Sequence, residues 1–119
     1  MLRMPSLRTK AHVAGAIRFL GEQDGVPERE FKERVIQLLH ANGAVKRGYL
    51  ARVAYEKVQS PVVALCLLPR KVQLELLREI GTVFASMFGQ NEHLDMFFID
   101  RHQEKVLARV CRPFFESET

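Results

Sequence analysis

The chain has 119 residues, 47% of them hydrophobic and 27% charged, which fits one soluble globular domain with a core of its own. Its longest apolar run, residues 62–68, falls far short of the ~20 residues that a membrane-crossing helix needs, and no apolar leader opens the chain. The net charge of +4 comes from the start: Arg3, Arg8, Lys10 and Arg18 precede the first acid, Glu22, and the rest carries 14 basic and 14 acidic side chains. A neutral body lacks the basic stripe of a nucleic-acid-binding fold, so neither nucleic acid nor membrane is an expected partner.

Residues 1–12 show no apolar periodicity and are expected to be a mobile basic arm, with 13–119 a single domain. A first strand is expected over 14–20, followed by the turn-rich stretch 21–26. Pro27 suits the first turn of a helix, and Glu28 and Glu30 suit its positive end. Phe31, Val35, Leu38 and Leu39 then give the stripe of a helix with one buried side, and Asn42-Gly43 is its stop. Two strands follow over 47–58 and 62–68, turning at Gln59-Ser60-Pro61. In the first of these, Tyr49, Ala51, Val53 and Tyr55 fall on one face with period two. The second is apolar throughout, as in a strand buried on both faces.

A long helix is expected over 71–88, with Val72, Leu76, Leu77, Ile80, Val83, Phe84, Met87 and Phe88 at helical spacing and Gly89 as its end. After the polar stretch 90–93 comes a strand over 94–99. Asp100 can cap a last helix over 101–110, with Val106, Leu107 and Val110 inward. Pro113 ends it, and Phe114-Phe115 form a terminal apolar plug. The order β-α-β-β-α-β predicts an α+β fold, a four-stranded sheet on the ferredoxin-like plan, with an added C-terminal helix. In that plan the first and third strands are central and both long helices cover one face. Strands that are apolar on both faces then need a second cover. The C-terminal tail and a second protomer are the candidates, and a homodimer is expected. Val63, Leu65, Leu67, Phe97, Ile99, Phe114 and Phe115 form the candidate interaction face.

The candidate polar site comprises Glu22 and Asp24 in the first loop with Glu92, His93 and Asp95 before the fourth strand. His93 could carry a proton with Glu92 or Asp95 assisting, whereas a loop histidine beside a strand-start carboxylate is the simpler account. Glu22, Asp24 and Glu28 lack the alternation of a calcium loop and fit a solvated acidic loop. His12, His40 and His102 have no metal spacing, and Cys66 and Cys111 have no CxxC partner, so no metal and no cofactor is expected. No serine-nucleophile motif, phosphate loop or HExxH occurs, and no catalytic residue is assigned. Arg47-Gly48-Tyr49 begins like an RNA-recognition signature, but Ala54 replaces its last aromatic and the segment is the second strand, not the third.

Several short pieces recur in a familiar order: Gly21-Glu22 with Pro27-Glu28, Gly48-Tyr49-Leu50-Ala51-Arg52, Ile80-Gly81, Leu94-Asp95 and Arg112-Pro113-Phe114-Phe115. Over about residues 17–115 the chain resembles the C-terminal domain of the SseB (enhanced serine sensitivity) family of bacteria. The resemblance implies a free-standing copy without the N-terminal domain of larger members, a bacterial cytoplasmic setting, and an accessory or regulatory role linked to serine tolerance. It implies no chemistry and no catalytic residues. The expected function is a non-enzymatic interaction module that self-associates or docks a protein partner. The alternative is a small metabolite-binding domain or enzyme using the loops at Glu22-Asp24 and Glu92-Asp95.

Overall fold

The computed structural model describes residues 17–55, 60–89 and 91–118. The arm over 1–12, the expected strand start at 14–16 and the strand end and turn over 56–59 lie outside them. The elements are β1 (Ile17–Glu22), α1 (Val26–Asn42), β2 (Val45–Tyr55), β3 (Val62–Pro69), α2 (Leu74–Phe88), β4 (Asp95–Phe98), α3 (Arg101–Leu107) and β5 (Phe115–Glu116). The fold is α+β, and the chain order of strands and helices matches the expectation from periodicity as far as α3. Pro27 lies in the first turn of α1, and Gly43 closes that helix at φ 77°, its N–H bonded to the Leu39 carbonyl. Asp100 caps α3 in a capping box with Gln103.

Among the described residues the sheet has five strands where four were expected. Its order is β1-β2-β3-β4, with β5 also on β2. β3 is inside as foreseen, but β1 lies beside β2 rather than at the centre. β1 and β2 are antiparallel, as are β2 and β3, while β3 and β4 run parallel. β5 is antiparallel to β2, Gly48 facing Phe115 and Arg47 facing Glu116. Two residues show no periodicity, so β5 has no signature of its own.

Two cores lie on either side of this sheet. On the first face Leu50, Leu65, Leu67, Met96 and Phe98 meet Phe31, Val35 and Leu39 of α1 and Leu76, Leu77, Ile80 and Phe84 of α2. On the second face Tyr49, Ala51, Val53, Ala64, Cys66, Phe97 and Ile99 meet Leu107 of α3 and Cys111 just beyond it. The alternation of Tyr49, Ala51 and Val53 to one side is therefore as expected, with Tyr55 at the margin of the same core.

The seven residues grouped as one interaction face are divided between these cores. Leu65, Leu67 and Phe115 are buried in the first core with Val63 and Phe114 packed against it, whereas Phe97 and Ile99 belong to the second. The reason is register. Cys66 pairs with Phe97 and Leu65 with Met96, so Phe97 points with Cys66 and away from Leu65. Phe114-Phe115 is likewise no plug on the second face. The Phe115 ring stands edge-on to His40 of α1 at 5.0 Å, and the Phe114 ring packs where a Cβ on Gly48 would come within 3.3 Å. Among the described residues, Leu107 and Cys111 pack on the second face, where Tyr49, Ala51, Ala64, Cys66, Phe97 and Ile99 are buried.

Candidate functional site

The first loop carries Glu22 at the end of β1 and Asp24 two residues on. Lys32, in the second turn of α1, reaches back with its Nζ 3.1 Å from Asp24 Oδ1 and 3.8 Å from Glu22 Oε2, its side chain only 10% exposed. Arg29 adds a contact to Asp24, and Arg112 donates through both its backbone N–H and its Nε to Glu22 Oε1 at 3.4 Å. The hydrogen bond from Lys32 is the main cause that holds the Asp24 carboxyl below its ordinary range, with the Lys32 and Arg29 charges acting in the same sense and desolvation against them. These carboxylates therefore tie the loop to α1 and to the C-terminal segment.

At the other loop, Asp95 opens β4 and is 1% exposed. Its Oδ2 accepts from the Tyr55 hydroxyl at 2.6 Å, and its Oδ1 lies 2.5 Å from His93 Nε2. A buried carboxylate is costly unless hydrogen-bonded, and here both oxygens are engaged. His93 keeps 31% of its side chain exposed, so Asp95 orients a ring that still reaches solvent. Tyr55 is a partner that local sequence inspection misses. Its signal is parity, since Tyr55 falls with Val53 and Asp95 with Phe97, all on the second face.

His93 also borders a pocket of about 80 Å³ between the first turn of α1, the end of α2 and the loop before β4. Phe31, Phe84 and Phe88 form much of its wall, with Glu28, Glu92 and His93 as its polar lining. The rings support one another: Phe31 meets Phe84 edge-on at 5.6 Å, and Phe84 lies 4.8 Å from Phe88. Glu28 accepts from Gln23 Nε2 at 2.8 Å. Of the five candidate polar residues, Glu92 and His93 thus line the pocket, Asp95 stands behind His93, and Glu22 and Asp24 are in the separate ion-pair cluster. Glu28, which the sequence marks only as a favourable helix-start acid, is the additional pocket residue.

A third cluster joins α3 to the sheet. Arg47 makes a bidentate contact with Glu104, Nε to Oε2 at 2.5 Å and Nη2 to Oε1 at 3.0 Å, and the Tyr49 hydroxyl donates to Oε2 at 2.7 Å. The Glu104 carboxyl is held below its ordinary range, first by the Arg47 hydrogen bond and also by Tyr49, against desolvation. Burial, with the Glu104 bond next, pushes the Tyr49 phenol up. Burial also raises the Cys66 thiol well above its ordinary value and the Cys111 thiol to about 11, which keeps both protonated at neutral pH.

Among the described residues no group of three or more His, Cys, Asp or Glu side chains is placed to hold a metal ion, and no helix is long and apolar enough to cross a membrane. The architecture defines an α+β domain whose mixed sheet is covered on both faces, with a small aromatic-walled pocket at one end. The chain belongs to the SseB protein C-terminal domain family, whose family model matches residues 20–117. No curated protein and no solved structure matches it.

Proposed function

We propose that this domain is a non-enzymatic interaction module of the bacterial cytoplasm, and that its pocket receives one side chain of a protein partner. The observation that carries this reading is the pocket's size and lining. At about 80 Å³ it is well below the several hundred Å³ of a substrate cleft, yet three phenylalanines form much of its wall. A space of that kind suits a single apolar anchor residue. Glu28 and Glu92 beside it favour a basic residue next to that anchor. Val72 and Leu74 are exposed apolar side chains on which a homodimer would draw.

The second reading, a metabolite-binding domain or enzyme, draws on the Tyr55–Asp95–His93 chain that ends at the pocket. A thermal-shift screen compares free amino acids, serine included, with short peptides that place Lys or Arg beside Leu or Met. A ligand that binds only the folded state must raise its melting temperature. Saturating shifts from the peptides, lost in a Glu28→Gln/Glu92→Gln variant, support the module. A saturating shift from one amino acid alone overturns it in favour of the second reading.

A further inference from the structure

The outer surface of α3 presents two ridges of different chemistry. The helical turn continues past Leu107, since the N–H groups of Arg109, Val110 and Cys111 bond to the carbonyls of Val106, Leu107 and Leu107. At about 100° per residue, Arg101, Lys105 and Arg109 form one ridge, and Val106 with Val110 a second about 120° round the axis. All five side chains are exposed, the two valines at 41% and 42%. Among the described residues no acidic side chain forms an ion pair with Arg101, Lys105 or Arg109. The helix's own acids are engaged elsewhere, Asp100 in the cap and Glu104 with Arg47 and Tyr49. The inward side of the helix is already spent on Leu107, buried in the second core.

We infer that this face of α3 is a docking surface for an acidic amphipathic segment of a protein partner, one that sets Asp or Glu against the basic ridge and an apolar side chain over Val106 and Val110. It is separate from the pocket, which opens among first-core residues on the other side of the sheet. Charge complementarity selects the acids, and the paired valines select a partner that also brings apolar area. Nucleic acid would use the cations and leave the valines wet. A lipid surface calls for a longer helix with larger apolar side chains than two valines.

The test pans a display library of random short peptides against the full chain. The enriched peptides are then titrated by fluorescence anisotropy against the chain and three variants: R101E/K105E/R109E, V106S/V110S and the pocket variant E28Q/E92Q. Because the α3 positions are exposed, unchanged circular dichroism melts are expected, and single K105E serves if the triple variant does not fold. The expected result is enrichment of peptides combining Asp or Glu with Leu, Ile or Phe. They should lose about tenfold or more in affinity for both α3 variants, keep it for the pocket variant, and weaken with added salt. The reversed variant should select basic apolar peptides instead. No enrichment, enrichment of peptides without acids, or equal binding to the reversed variant overturns the inference. So does tighter binding to phosphatidylserine vesicles or to a single-stranded oligonucleotide that is lost on reversal.

Discussion

The two faces of the sheet are closed by different means. On the first, two helices of 17 and 15 residues lay Phe31, Val35, Leu39, Leu76, Leu77, Ile80 and Phe84 on the leucines of β2 and β3. On the second, among the described residues, a helix of seven residues contributes one buried side chain, Leu107, over a floor that includes Ala51, Ala64 and Cys66. A short helix can approach a floor of small side chains closely, but its apolar area is modest and its intrinsic stability slight. Polar ties make up the difference: the capping box at Asp100 and the contacts of Glu104 with Arg47 and Tyr49. Breadth of apolar contact holds one cover, and a few directional bonds hold the other.

The comparison can be broken most forcibly on the first face. Phe31→Ala, at 2% exposure, should cost about 4 kcal/mol in a urea melt and unfold the whole domain together. Leu107→Ala should cost about 3 kcal/mol, and amide exchange should then show α3 opening before the first-face helices do. Equal protection of α1, α2 and α3 in that variant would mean the covers are not separable.

Glu104→Gln sharpens the contrast through pH. It removes the charge that Arg47 faces and should cost about 2 kcal/mol at pH 7. Because the folded Glu104 carboxyl titrates below its unfolded value of about 4.3, its contribution is complete above that value and is lost as pH falls through the lower, folded one. The gap between parent and variant midpoints should therefore narrow below pH 4, and a gap independent of pH would remove the ion pair from the account. The smallest effect is at the cap. Asp100→Ala should lower stability by about 1 kcal/mol and raise amide exchange at Gln103 first.

Much of this fold was legible because helices and long strands write their period into the chain. Pro27, Asn42-Gly43 and the spacing of Phe31, Val35 and Leu39 mark α1 without reference to any neighbour. Which way a strand faces is a different kind of fact. Grouping Leu65 with Phe97 amounts to a one-residue slip between β3 and β4, and only the parallel register, Leu65 to Met96, corrects it. Phe114-Phe115 was misplaced for a related reason, since its position depends on pairing with Gly48 far upstream. The candidate site divides in the same way. Glu92, His93 and Asp95 are visible as a local cluster, but Tyr55 joins them from the end of β2, and nothing near Glu22 or Asp24 announces that Lys32 and Arg112 close over them.

β1 and β5 run in the same direction along one edge of β2, β1 ending opposite Ala51 and β5 starting opposite Gly48. The backbone leaves this line at Gln23, whose N–H bonds to the Leu50 carbonyl, and rejoins it at Phe114, whose N–H bonds to that of Gly48. One strand position is thus assembled from the two ends of the domain, a contact of high sequence separation that pays its loop-closure entropy before it gains anything. During synthesis the carbonyls of Lys46 and Gly48 must wait for the N–H groups of Ser117 and Phe114, and until then that stretch of β2 is an open template for wrong pairing. The last gap along this edge of β2 is therefore closed only when a strand of two residues has been made.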